Sequence, residues 1–433
     1  MRSGGIAAIL ALLLASSAWG YGYLGVGLGS GVFQGSARGG GMGEVTMLSE
    51  DGPLAVTLNP ALLGFMKDGR VEATYRGASV REDWAFPVHD SFDALLGYNT
   101  YSANSNIYHA FSGQAASGPL ARLGGVCFAL ASLPVYDFRY DYEEEVRDRN
   151  PNAQPPDRVI ANNFIRGDGA IASLSFGLGK AFHPSFSLGA GLDYLFGKHD
   201  LEKGISFVDA TRIPWAGGNP DTSGTFSASD LSGTRFTLGA TWVLGERVEV
   251  GAAYKSRAEL EGDFAGENSS LLGFGGASGA DGAGITVKYP ASYALGVSIR
   301  PRNVLAAVVE GDVVLTKWSD VSDAAGIAGT YLDDTYEWHL GVEHIFYNGQ
   351  ALRFGLLYRP SPKEKETSEA AVTAGTGFTI AGIGVDLAAK VGWREYRQPD
   401  IFSDEIFGAK LRGSTDLVKE SITGAVISVS RRF

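Results

Sequence analysis

One cysteine, Cys127, stands alone in a chain of 433 residues. That excludes an intramolecular disulfide framework, and the thiol fits a small apolar position in a strand. Long apolar runs are missing too. Beyond Ala18 no segment reaches the ~20 apolar residues of a bilayer-crossing helix, and mean hydropathy is +0.01. Positive charge is in short supply, with 36 Lys+Arg against 48 Asp+Glu, so a net charge of −12 offers no footprint for nucleic acid. The six histidines, His89, His109, His183, His199, His339 and His344, show no metal-ligand spacing, and Cys127 has no obvious histidine partner. Gly25-Val26-Gly27-Leu28-Gly29 echoes a dinucleotide loop but has no preceding strand and no βαβ unit around it. Neither metal nor cofactor is expected, and an enzyme is not indicated.

What the chain has in quantity is glycine and aromatic side chains, 60 Gly with 18 Tyr, 23 Phe and 7 Trp, set in alternating segments. Val248, Val250, Ala252 and Tyr254 share one parity, while Glu249, Gly251, Ala253 and Lys255 share the other. Leu352, Phe354, Leu356 and Tyr358 alternate with Arg353 and Gly355. Val385, Leu387, Ala389, Val391 and Trp393 do so with Asp386, Lys390 and Arg394. Successive side chains of a strand point to opposite faces, so each segment has one apolar and one polar, glycine-rich face. Lipid outside and a wet or ligand-holding lumen inside satisfy both. A soluble sandwich would bury the apolar face instead, but so many long strands pack poorly into sandwiches of about a hundred residues. The expectation is an all-β fold, a transmembrane antiparallel β-barrel of about fourteen strands. The strands begin near Arg70, Asn106, Arg122, Gly169, Phe186, Thr234, Arg247, Ala291, Val304, Tyr336, Ala351, Val372, Gly384 and Ser421. Short connections with turn chemistry, such as His183-Pro184-Ser185, alternate with long ones, such as residues 143–161, 199–232 and 263–284.

Residues 1–20 contain Arg2, an apolar core from Ile6 to Leu14 and the small-residue stretch Ala15-Ser16-Ser17-Ala18-Trp19-Gly20. This is the layout of a secretory signal, cleaved after Ala18 or Gly20. An exported barrel belongs in the outer membrane of a diderm bacterium, and the final strand ends on the aromatic Phe433, the signal such barrels present to the barrel-assembly machinery. Between signal and barrel, residues 21–67 lack sustained alternation, and about 45 residues cannot build a strong core alone. Leu54, Val56, Leu58, Leu62, Leu63 and Phe65 argue against a disordered tail and for an N-terminal hatch, a plug packed inside the lumen. The expected plan is signal 1–20, hatch 21–67 and barrel 68–433.

These residues resemble the FadL and TodX family of outer-membrane transporters for long-chain fatty acids and hydrocarbons. The most specific parts lie in residues 37–65, with Gly43, Asp51 and Asn59-Pro60-Ala61, and in Leu315-Thr316-Lys317-Trp318-Ser319-Asp320. Tyr254-Lys255-Ser256-Arg257 with Gly262, and Leu352-Arg353-Phe354-Gly355 through Pro360-Ser361-Pro362, are also similar. The resemblance implies a monomeric fourteen-stranded barrel, a hatch in its lumen, and passage of hydrophobic ligands from outside toward the membrane. The loops match poorly, so no ligand identity is carried over.

Four groups of residues are candidates for function. Asn59-Pro60-Ala61 is a common turn opener, but inside a plug it can pin one conformation that a ligand then disturbs. Pro134 cannot donate to a ladder, so the third strand must bulge or break there unless it already lies above the membrane. The family's kinked third strand makes a sideways exit the functional reading. Phe207, Ile213 and Trp215, with Leu271, Leu272 and Phe274, are apolar clusters in connections expected to face water; they either pack on one another or form a capture groove. Lys255 and Arg257 lie late on an outward-running strand and are candidates for a ligand carboxylate, whereas most lumen-parity charges, among them Arg353, Lys390 and Arg394 against Glu310, Asp312, Glu343 and Asp386, should pair with each other. The expected function is passive uptake of hydrophobic small molecules. The alternative is a structural or secretion-associated barrel that binds a partner protein, and a water-filled porin is disfavoured by the plug.

Overall fold

The computed structural model describes residues 22–147, 158–208, 221–267, 282–302, 306–321, 332–364, 367–402 and 415–433. The expected signal peptide, residues 1–20, lies outside the described residues. Fourteen antiparallel strands close into one barrel. They are β1 (Arg70–His89), β2 (Leu95–Ala116), β3 (Cys127–Asp137 and Tyr140–Arg147), β4 (Val159–His183), β5 (Phe186–Phe207), β6 (Asp221–Leu244) and β7 (Val248–Lys255 and Ala258–Ala265). The second half comprises β8 (Ala283–Tyr289 and Ser292–Ile299), β9 (Ala306–Thr316), β10 (Thr335–Ile345), β11 (Ala351–Pro360), β12 (Ser368–Ile380), β13 (Ile383–Gln398) and β14 (Asp416–Arg432). The last strand returns to the first, in register from Arg432 opposite Arg70 to Leu417 opposite Ala85.

Alternation explains which face is which. Leu192, Tyr194, Phe236, Leu238, Phe354 and Trp393 are exposed, while Asp193, Arg235, Thr237, Arg353 and Arg394 are buried. Apolar side chains that cost solubility in water are at home against acyl chains, and the polar parity is left to the lumen. The strands run farther than expected: β2 starts at Leu95, β4 at Val159 and β6 at Asp221. Above the lipid band the apolar parity is no longer needed, so the pattern fades while backbone pairing continues. Phe207 is accordingly the end of β5 and not a loop residue, and it packs against the cluster that contains Leu201 and Ile205.

The lumen holds the N-terminal segment. It comprises a 3-10 turn Tyr23–Gly25, a two-residue strand Ser30–Gly31, helices α1 (Ala37–Gly41) and α2 (Ala55–Leu58), and a 3-10 helix Pro60–Phe65. Too short for a core of its own, it is buried by the wall. Leu54, Val56 and Leu63 pack with Ala129, Ala131 and Leu133 of β3, and Phe33 and Ala37 with Ala78, Ala388 and Val426. This contact explains the glycine-rich inner parity. A Cβ on Gly355 would fall on the backbone of Met42 and Gly43, and one on Gly189 on Pro60 and Ala61. Only glycine lets the two backbones come so close.

Candidate functional site

The lower lumen is polar and grips the N-terminal segment. Asp312 Oδ2 accepts the backbone N–H groups of Thr46 at 2.7 Å and Met47 at 3.0 Å, and Glu310 Oε1 accepts those of Leu48 at 2.9 Å and Ser49 at 3.3 Å. Asn59, Pro60 and Ala61 are all buried. Asn59 caps the 3-10 helix by accepting from Ala61 N, and its Nδ2 donates to Met47 O at 2.8 Å and Thr241 Oγ1 at 3.0 Å. Ser187 Oγ donates to Ala61 O at 2.6 Å. The triplet is therefore a wall-anchored cap and not a solvent turn. Arg38 meets Glu343 at 2.7 Å, which also binds Arg353 at 2.6 Å, and Arg353 meets Asp386 at 2.6 Å. Glu44 lies between Lys390 at 3.0 Å and Arg359 at 2.7 Å. Burial alone would raise the Glu44 carboxyl, but those two cations outweigh it and hold it at about 2.

Sequence reading found Arg353, Lys390, Glu343 and Asp386 as lumen charges that pair. It assigned no role to Glu310 and Asp312 as acceptors for backbone, though two acids two residues apart on the inner parity of β9 were the available signal. Lys255 does face inward, and its Nζ donates to Gln34 Oε1 of the N-terminal segment at 2.8 Å. Arg257 does not. Ser256 Oγ accepts from Phe236 N at 3.1 Å, so a side chain replaces a ladder carbonyl where β7 is interrupted, and the parity inverts. Ala258 and Leu260 are buried, while Arg257 is exposed and pairs with Glu259 at 3.0 Å. A lumen role for Arg257 is thereby corrected.

The upper lumen carries two apolar clusters, with the buried carboxylates of Glu82 and Glu420 against one of them. Val135, Phe138, Ile171, Leu195, Leu260 and Tyr289 form one inward cluster. Tyr136 stacks on Tyr289 with ring centroids 3.9 Å apart, and Phe138 on His199 at 4.0 Å. Leu24 and Val26 of the N-terminal segment join a second cluster with Trp84, Tyr140 and Tyr142. Of the capture candidates, Phe207 borders this second cluster. Ile213, Trp215, Leu271, Leu272 and Phe274 lie outside the described residues.

Pro134 marks a break in the wall. β2 and β3 pair through four residues each, from Ala116 opposite Ala129 to Gly113 opposite Ser132, and the ladder then stops. Ser117 N donates to Phe128 O at 2.8 Å, so in steps of two Phe128, Leu130, Ser132 and Pro134 turn their backbone groups toward β2. The N–H that proline lacks is the one that would have continued the ladder. β3 still pairs with β4 through Pro134 opposite Ala172 and bulges between Pro134 and Tyr136. Its freed edge is taken from the lumen side, where Ser30 and Gly31 pair with Asp137 and Tyr136 and Val32 N donates to Val135 O at 2.9 Å. Higher up, side chains replace the ladder: Asn106 Nδ2 donates to Asp141 O at 3.1 Å, and Asp141 N donates to Asn106 Oδ1 at 2.9 Å. The interval between Gly113 and Asn106 is a window roughly 20 Å long at about 3.3 Å per residue.

A fourteen-stranded barrel with its N-terminal segment packed against the inner wall is a recognisable arrangement. The family model described as outer membrane protein transport protein (OMPP1/FadL/TodX) matches residues 163–385, more than half of the sequence. The chain belongs to this family. Its members are outer-membrane barrels that transport hydrophobic compounds. Similar solved structures include a FadL homologue of Pseudomonas aeruginosa, with 17% identity over 93% of this chain and 98% of that one and a TM-score of 0.63. The toluene transporter TodX of P. putida is 17% identical over 93% and 99% of the two chains, with a TM-score of 0.61. The toluene transporter TbuX of Ralstonia pickettii is 19% identical over 93% and 99%, with a TM-score of 0.57. At such identities the likeness establishes the family's fold and not the ligand. No curated protein sequence matches the chain.

Proposed function

We propose that the protein takes up small hydrophobic molecules, long-chain fatty acids or similar apolar compounds, by passive, binding-driven diffusion. Ligand is captured by the apolar residues around Phe207, Ile213, Trp215, Leu271, Leu272 and Phe274 and enters the upper lumen. Residues 21–67 act as a plug gated through Asn59-Pro60-Ala61, and Lys255 meets a ligand carboxylate where one is present. The ligand leaves sideways through the window beside Pro134 into outer-membrane lipid. The observation that carries this reading is the loss of the β2–β3 ladder at the height of an apolar lumen cluster, with a charged, hydrogen-bonded plug directly beneath. A greasy molecule gains by moving from one apolar surface to lipid and gains nothing by crossing a layer of paired charges. In the same proposal the chain is exported by its N-terminal signal, assembled through the strand ending in Phe433 and works as a monomer.

The test is Pro134→Val in proteoliposomes, with labelled fatty acid uptake as the readout and heat-modifiable gel mobility as the folding control. The substitution restores a donor facing β2, so uptake should fall severalfold in a folded barrel. Undiminished uptake would reject the sideways route and favour passage past the plug.

A further inference from the structure

We infer that Arg139 is the latch of the β2–β3 window, a gating residue that lets go of β2 before a ligand leaves sideways; the inference rests on the side-exit reading above. Arg139 lies at the interruption of β3, between Asp137 and Tyr140. Its own strand holds it firmly. Asp137 Oδ1 accepts from Arg139 N at 2.8 Å and Nε at 3.2 Å, and Asp137 Oδ2 accepts from Nη2 at 2.9 Å. Across the seam it also reaches β2. Nη2 donates to His109 O at 3.4 Å, and the guanidinium lies over the Tyr108 ring at 5.6 Å. A bond of that length is at the feeble end of hydrogen bonding.

That asymmetry is what a reusable latch requires. An ionised group in a membrane wall is costly and marks function by default. Here the Asp137 side chain is fully buried, so the pair stays neutral as a unit when Arg139 swings off β2, and no bare charge meets lipid. The planar, forked guanidinium can keep both Asp137 oxygens while its outer N–H reaches across the seam. The latch is also wired to the plug. Ser30 pairs with Asp137, and Val32 N bonds Val135 O. Movement of residues 30–32 therefore frees the segment that carries Arg139, which couples plug displacement to window opening.

The experiment uses full-length protein in proteoliposomes, with one carboxylate probe, a labelled palmitate, and one neutral probe, a labelled alkane. Arg139→Gln should speed release of both probes into the bilayer by about two- to fivefold, the worth of a hydrogen bond at the weak end of the range, and Arg139→Lys should be intermediate. Amide exchange at Val32 and through residues 135–140 should quicken in parallel. Unchanged rates in folded Arg139→Gln, with Pro134→Val still slowing uptake, would overturn the latch and leave the window standing. If neither variant changes the rate, the side exit itself fails, and the latch with it. Slowing confined to palmitate would overturn the latch by making Arg139 a carboxylate contact. Should Arg139→Gln not fold, Asp137→Asn preserves shape but loosens the guanidinium, and at least a twofold acceleration is expected; no change would again overturn the proposal.

Discussion

Asp312→Ala tests how the proposed plug is held. In the native barrel one carboxylate oxygen receives two backbone N–H groups, from Thr46 and Met47, and both of those residues are buried. The substitution strands both donors where water is scarce, at about 1–3 kcal/mol each. Against this, a buried carboxylate next to Glu310 no longer has to be desolvated, which offsets part of the loss. The net weakening should be about 1–3 kcal/mol, or roughly 5- to 150-fold in the ratio of released to docked plug. Two readouts should move by that factor together: open-channel bursts in planar bilayers and tryptic cleavage after Arg38. A folded Asp312→Ala barrel that stays closed and is cleaved at the native rate would refute the idea that these amide contacts retain the plug. Asp312→Asn, which keeps one acceptor oxygen, should fall between.

Gly355→Val forces a side chain onto the Met42–Gly43 backbone and should raise leak conductance through overpacking of about 1–3 kcal/mol; the control is Gly284→Val, where the added group meets open space, and equal behaviour of the two would discredit the close-packing argument. Glu44 gives a pH dependence of definite sign: its carboxyl is depressed from 4.5 to about 2 in the folded barrel, so its contribution to plug docking is present above pH 4.5 and lost as pH falls toward 2. Leak should begin in that window for the wild type and already at neutral pH for Glu44→Gln, and a wild-type channel still closed at pH 2 would contradict it.

Much of the architecture was readable in the sequence because its determinants are local. Alternation is a property of residues two apart, so the number of strands and the face each turns to lipid follow from the run of side chains, whereas closure is seen only in the pairing of the last strand with the first. Pro134 was readable for the same reason, since a missing N–H breaks a ladder in any strand. Arg257 was misplaced because Ser256 inverts parity by a local substitution of side chain for backbone that the alternation pattern does not register. Phe207 reads as a loop residue because the apolar signal ends before pairing does.

Only the folded barrel decided the rest. The inner parity is rich in glycine in the sequence, but the reason, backbone of residues 42–43 and 60–61 pressed against Gly355 and Gly189, depends on contacts across more than a hundred residues. Glu310 and Asp312 read as charges in want of cations, and tertiary structure gave them amides instead. Arg139 and Asn106 carry no motif. Their roles exist because closing the cylinder brings β2 and β3 together at a place where proline forbids the ladder, and unmet hydrogen-bonding groups there must find side chains.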